Sequence, residues 1–252
     1  MKRKALVYLS IILLLLIPTI ITNISKSFSV KETNKESISI SDAIIKNNTI
    51  LENNHEPGLY KNKDSYYFIG NTINNYIKIN NDLWRIMKIN ENKTVKLIKD
   101  TPINDQKYIV NEEYTTENYQ NSIIYQELQK YYENELKSIK EIIKTEYCIK
   151  YNNNCLESNN SYISLVTEEE IKDITIEENN LSFINTKDFW IMSNNYLDEE
   201  INQAFFGIYN EYEQIDKTFV DDSKFIVPVI TLDSNTITEG NGTKENPYII
   251  VK

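Results

Sequence analysis

A single histidine, His55, is all the imidazole this 252-residue chain has. A serine or cysteine triad would have to recruit it from a remote polar stretch, so triad chemistry is not expected. Cysteine is nearly as scarce. Cys148 and Cys155 are the only two, and two thiolates with one distant imidazole do not fill a zinc shell. Cationic residues are outnumbered, 27 against 37 acids, and three of the 27 stand within the first four positions. The remaining 24 leave a net of −13, which speaks against nucleic acid or an anionic lipid surface as partner. Glycine, at five residues, is also sparse, while Asn, Ile, Lys and Tyr are heavy, a bias that names no function. There is no internal repeat and no EF-hand-like spacing, so no metal and no cofactor is expected.

What is present begins with an uncharged apolar run, Ala5 to Thr22, behind Lys2, Arg3 and Lys4. As a helix it would span about 27 Å, close to a hydrocarbon core of about 30 Å. The basic residues before it favour a cytoplasmic N-terminus. The expectation is a single-pass signal-anchor in the cell membrane, with the lipid bilayer as partner and the rest of the chain extracellular. A cut near Ser27 or Ser29, giving a secreted protein, is the alternative, although no Ala-x-Ala follows the run. The domain reading is 1–22 as basic head and transmembrane segment, 23–56 as a flexible Ser/Asn/Lys/Glu-rich stalk, and 57–252 as the extracytoplasmic domain.

Within that domain, β-rich runs at 66–69, 76–79, 83–89 and 94–98 are separated by Gly70-Asn71, Asn80-Asn81-Asp82 and Asn90-Glu91-Asn92, the mark of an antiparallel meander. Between Tyr119 and Glu146, residues Ile124, Leu128, Tyr131, Leu136, Ile139 and Ile143 recur at steps of three to five, predicting one long amphipathic helix. Thr167 and Glu170 fit a capping box at the start of a shorter helix. Trp190 to Met192 and Phe225 to Leu232 read as strands. A turn at Glu239 to Thr243 should return Tyr248 to Val251 as a closing strand, opened by Pro247. In an oxidising exterior the ordinary fate of Cys148 and Cys155 is a local disulfide, with two free thiols as the alternative.

The order of several segments resembles a domain family of surface proteins in Firmicutes and related low-GC bacteria. The residues that carry the resemblance are Gly58-Leu59-Tyr60, Tyr66-Tyr67-Phe68, Gly70-Asn71, Asn75-Tyr76 and Trp84-Arg85-Ile86. The segments SLVTEEEI, Phe189 to Ser193 and the C-terminal VPVITLDSNTITEGNGTKENPYIIV follow in order, so the likeness covers 58–252. It implies a C-terminal half related to the C-type-lectin-like fold of formylglycine-generating enzymes and adhesion modules, without transferring their activity. This chain departs from the pattern at Phe225-Ile226-Val227-Pro228-Val229, where relatives carry an arginine. Combining these readings, the fold expected is α+β: an N-terminal transmembrane helix, an antiparallel β meander, a long amphipathic helix and a C-type-lectin-like β region.

No catalytic constellation stands out. The low-level candidates for binding are Trp84 and Trp190, as platforms for sugar rings or as core, and Asp221 with Asp222, as oxygen ligands. Paired acids such as Asp221-Asp222 or Glu199-Glu200 could serve a glycan hydrolase, but among 37 acids some pair is always available. The favoured expectation is a non-catalytic recognition or adhesion protein whose partner is an envelope glycan or a surface protein. A structural subunit that uses the stripe of the long helix for assembly is the alternative.

Overall fold

A computed structural model describes residues 38–52, 55–111, 119–151, 154–176, 182–193, 196–198 and 203–251. The folded unit is Ile38–Lys252. The expected transmembrane segment, Ala5 to Thr22, lies outside the described residues. Among the described residues no helix is long and apolar enough to cross a membrane, so the expected membrane-spanning helix is not one of the described elements. Part of the stretch read as a stalk is folded. Helix α1 (Ile40–Asn47), capped by Ser39, buries Ile40, Ala43 and Ile44 in the core.

The molecule is dominated by strands rather than being the α+β arrangement expected. In chain order these are β1 (Ile50–Leu51), β2 (Gly58–Asn62), β3 (Ser65–Ile69), β4 (Tyr76–Ile79), β5 (Asp82–Ile89), β6 (Val95–Lys99), β7 (Thr145–Tyr151) and β8 (Asn154–Ser161). They continue as β9 (Ile163–Leu165), β10 (Phe189–Trp190), β11 (Tyr196–Asp198), β12 (Gln203–Tyr209), β13 (Ile215–Phe219), β14 (Pro228–Leu232), β15 (Thr238–Glu239) and β16 (Tyr248–Ile250). Helices α2 (Ile123–Tyr131) and α3 (Glu168–Asp173) are the other α-helices among the described residues.

The long helix expected across Tyr119 to Glu146 does not form. Helix α2 ends at Tyr131, a π turn covers Tyr132–Leu136, and the chain then leaves the helical path. The reason is tertiary. Ile142 bridges to Leu232 and Ile143 N–H donates to Thr231 O at 3.0 Å. Two β-branched residues gain a sheet edge there, which outweighs a weak helical preference. Ile124, Leu128, Leu136 and Ile139 are all buried. The stripe is already spent on this domain's own core and leaves no apolar face for assembly.

Ten strands make one sheet in the order β9-β14-β6-β5, after which the sheet forks. Strand β3 pairs with the Lys88–Ile89 end of β5, and β4 pairs with its Asp82–Arg85 end. One branch continues through β2 to β1, the other through β16 to β15. The connectivity is therefore not a simple meander, although β3, β4, β5 and β6 start and stop within a residue of the runs expected from the sequence. Two pairings, β1 with β2 and β16 with β4, are parallel. Strands β6 and β14 are buried at every position, as expected of strands covered on both faces. Pro228 opens β14, where no ladder hydrogen bond is lost. A second sheet sets β10 and β11 along one edge of β12 and β13 along the other, and β7 and β8 form a separate hairpin.

In that hairpin the register sets Cys148 opposite Ser158 and Cys155 opposite Lys150, not opposite each other. The side chain of Cys155 lies outside the described residues. Cys148 is nonetheless disulfide-bonded and no free cysteine occurs among the described residues, the outcome expected of the chain's two cysteines.

At the fork sits Arg85, only 2% exposed, and the only arginine after Arg3. Its Nε donates to Asn75 Oδ1 at 2.7 Å, Nη1 to the Tyr76 hydroxyl at 2.9 Å and Phe183 O at 3.3 Å, and Nη2 to Thr72 O at 2.6 Å. Asp100 lies 3.6 Å away, and the Tyr76 ring centroid is 4.0 Å from the guanidinium carbon. Burial pulls the Arg85 pKa down, with Tyr76 and Asp100 opposing. Asn75 completes the clasp by donating to Ile86 O at 3.0 Å.

The capping box at α3 is present: Thr167 Oγ1 accepts from Glu170 N–H, and the Glu170 carboxylate accepts from Thr167 N–H. The same carboxylate accepts from Lys96 Nζ of β6, whose ammonium lies 4.7 Å from the Tyr147 ring centroid. Both ends of the described unit meet one residue. Ser39 bridges to Ile237, and Val251 N–H donates to Ile237 O at 2.9 Å. Gly242, at φ +85°, lets its carbonyl reach Tyr76 N–H at 2.8 Å, where a Cβ would stand 2.4 Å from Asn74 O.

Two outcomes are expected. Arg85→Ala should cost about 3–5 kcal/mol by urea unfolding, since it strands several buried acceptors, and Arg85→Lys should lose most of the same because an ammonium cannot reproduce the planar fork. Burial alone would raise Glu170, but Lys96 and the helix N-terminus more than offset it and hold its pKa below the usual value. Its contribution should be present above the unfolded value of about 4.3 and fade as pH falls from there toward the lower folded value. Acid melts of Glu170→Gln should flatten in that window relative to the parent; an unchanged profile would count against the assignment.

Candidate functional site

Among the described residues, the polar groups converge best in a cleft of about 220 Å³ between helix α2, its π turn and the loop that follows β6. One wall is that loop, with Ile103, Asn104, Gln106 and Tyr108. The other carries Glu127, Lys130 and Tyr131 of α2 and Asn134 and Glu135 of the π turn. A larger groove of about 290 Å³ lies beside Lys78, Ile79, Asn80, Ile139, Glu141, Ile249 and Ile250, but its lining is mainly aliphatic.

The loop wall is stitched down by the backbone. Ile103 N–H donates to Ile226 O at 3.0 Å, and Tyr108 and Lys224 exchange hydrogen bonds at 2.8 and 3.0 Å. Asp188 adds a clasp, accepting from Lys107 at 2.6 Å and Lys224 at 2.7 Å. Burial works against the Asp188 carboxylate, yet the two ammonium groups hold its pKa below the ordinary value. Within the loop, Asn104 Nδ2 donates to the Tyr108 hydroxyl at 2.7 Å, and that hydroxyl reaches Gln106 Oε1 at 3.3 Å.

The helical wall is fixed by the β4–β5 turn. The Tyr131 hydroxyl donates to Asp82 Oδ2 at 2.8 Å, and Asp82 Oδ1 lies 3.2 Å from Lys99 Nζ. Lys99 is buried and also donates to Thr101 Oγ1 and Pro102 O. Asn80 Nδ2 donates to Glu135 O at 2.6 Å, pinning the π turn. Burial, the Asp82 hydrogen bond and the charges of Asp82 and Glu135 all push the Tyr131 phenol up, so it stays protonated. On the same helical wall, Lys130 lies 3.4 Å from Glu127, one turn away.

The residues singled out from the sequence fall elsewhere. Trp84 and Trp190 are both fully buried, so neither is a platform for a sugar ring. Trp84 faces Ile77 and Lys99 across β5. Trp190 packs edge-on against Phe206 with centroids 5.8 Å apart, and its Nε1 donates to Tyr108 O at 2.6 Å. It therefore supports the cleft wall through the backbone without touching the cleft. Asp221 and Asp222 lie in the turn after β13, where Asp222 accepts from the Thr218 hydroxyl. No group of three or more His, Cys, Asp or Glu able to hold a metal occurs among the described residues. Glu199 and Glu200 lie outside them. The cleft is not legible in the sequence because its walls come from two polar segments 19 or more residues apart. The one available signal was Tyr131, a polar-tipped residue on an otherwise aliphatic stripe.

Comparison with known proteins finds no matching family model, no matching curated protein and no matching solved structure.

Trp190→Ala is expected to cost about 3–5 kcal/mol of stability in chemical denaturation, as for other buried aromatics. A variant of unchanged stability would show that the indole is not the core residue described.

Proposed function

We propose that the folded unit is a non-catalytic recognition domain of the bacterial cell surface, and that the cleft between α2 and the loop after β6 holds an envelope glycan. The observation that carries this reading is the chemistry of the lining. Sugar hydroxyls both donate and accept, and the cleft offers amides at Asn104, Gln106 and Asn134, carboxylates at Glu127 and Glu135, an ammonium at Lys130 and two tyrosines. Tyrosine is suited to such a boundary because its ring is apolar and its tip polar.

Size argues in the same direction. The cleft, at about 220 Å³, is smaller than the roughly 300–1,000 Å³ of pockets that enclose a small ligand. It suits one ring of a longer chain lying across an open groove. The walls are also preorganised, by the Asp188 clasp on one side and the Asp82–Lys99 pair on the other, so little ordering cost falls on binding.

The test is calorimetric titration of the full-length chain with soluble envelope oligosaccharides, repeated with Asn104→Ala combined with Gln106→Ala. Saturable binding weakened about fivefold or more, the loss of one or two modest hydrogen bonds, is expected. Absence of binding, or binding indifferent to the double substitution, would overturn the cleft as the site. Release of shortened oligosaccharide, lost in Glu127→Gln or Glu135→Gln, would overturn the non-catalytic part.

A further inference from the structure

The donors and acceptors of the helical wall are not balanced. Tyr131 has one hydroxyl proton, and it is given to Asp82 at 2.8 Å. Asp82 in turn pairs with the buried Lys99 ammonium, 3.2 Å away, and a carboxylate only accepts, so it returns no proton to the phenol. The Tyr131 oxygen can therefore offer a ligand lone pairs and nothing else. Four residues on, Glu135 lines the same cleft, and its charge acts on the Tyr131 hydroxyl. An ionised carboxylate is likewise an acceptor only. The neighbouring Lys130 is engaged with Glu127 at 3.4 Å, while Glu135 has no salt-bridge partner described. Asn80 fixes its backbone at 2.6 Å through the same turn that supplies Asp82. The β4–β5 turn thus fixes the Tyr131 hydroxyl and the Glu135 backbone four residues apart on one wall, and the Glu135 charge has no described salt-bridge partner.

Resting on the reading of the cleft as a glycan site, we propose that the cleft selects amine-bearing sugars, the Tyr131 oxygen and the Glu135 carboxylate together receiving a protonated amino group of the ligand. An ammonium supplies three donors and a positive charge, which matches two acceptors and one uncompensated carboxylate. Acetylation of that amine removes the charge and leaves a single N–H. It also adds a carbonyl that neither the Tyr131 oxygen nor Glu135 can satisfy. Tyr131, Asp82 and Lys99 act here as a positioning relay: Lys99 holds the Asp82 carboxylate in place, and Asp82 fixes the direction of the Tyr131 hydroxyl.

The experiment compares tetrasaccharides of glucosamine, of N-acetylglucosamine and of glucose for binding to the full-length chain at neutral pH and low salt. The glucosamine form is expected to bind about tenfold more tightly than the acetylated form, the size of one charge-assisted hydrogen bond. Glu135→Gln and Tyr131→Phe should each abolish most of that preference, weakening the glucosamine form far more than the glucose tetrasaccharide. Asp82→Asn offers a readout that loss of structure would not give. An amide can donate to the phenol oxygen and release the hydroxyl proton toward the ligand, so the preference should shift toward the acetylated form. Equal or tighter binding of the acetylated sugar by the parent chain would overturn this inference and leave the cleft as a glycan site. So would a preference that survives Glu135→Gln. Failure of all three sugars to bind would overturn both readings together.

Discussion

The fold depends on a buried guanidinium at the point where its main sheet divides. A strand can pair along only one line on each edge, yet β5 must hold two partners on the same edge, one after the other. Where β3 leaves and β4 arrives, backbone groups near Thr72 and Asn75 turn away from the ladder and need new partners. Arg85 supplies them. Its planar fork reaches Thr72 O, Asn75 Oδ1, the Tyr76 hydroxyl and Phe183 O at once. Removing such a cation from water costs several kcal/mol, and only dense hydrogen bonding with a nearby carboxylate offsets it. Arg85 has both.

The end of β6 links this fork to the cleft. Lys99 and Asp100 are successive residues, and on an extended strand successive side chains point to opposite faces. Lys99 reaches Asp82 beneath the cleft, and Asp100 lies beside Arg85. The same two positions thus support the sheet's division and the wall on which Tyr131 rests. A loop of polar residues gains its rigidity from these ion pairs and from the indole of Trp190, not from any regular structure of its own.

Much of the local structure was legible in the sequence because its causes are local. The runs flanked by Gly70-Asn71, Asn80-Asn81-Asp82 and Asn90-Glu91-Asn92 do become strands, Thr167 and Glu170 do form the capping box, and Pro247 does stand directly before β16. Asn75-Tyr76 and Trp84-Arg85-Ile86 drew attention as parts of a resemblance, and their physical reason, the clasp between Asn75 and Arg85, was visible only once the strands were paired. The long helix failed for the same kind of reason. Nothing within Tyr119 to Glu146 breaks a helix; the edge of β14, far along the chain, captures Ile142 and Ile143. The tryptophans were ambiguous because an aromatic residue in a strand reads alike on either face until the second face is covered. The cleft stayed hidden because Asn104, Gln106 and Asn134 are ordinary surface residues until two distant segments set them facing one another.

The shared hold of Ile237 on both ends of the described chain has a mechanical consequence. Residue 39 bridges to it on one side and residue 251 hydrogen-bonds to its carbonyl. A pull applied across the two ends would load those few hydrogen bonds first and pass around the forked sheet. Tension would peel helix α1 and strand β16 before it strained Arg85 or moved the wall of the cleft. A unit held in this way would keep the cleft between α2 and the loop after β6 intact under stretching forces strong enough to loosen its own ends.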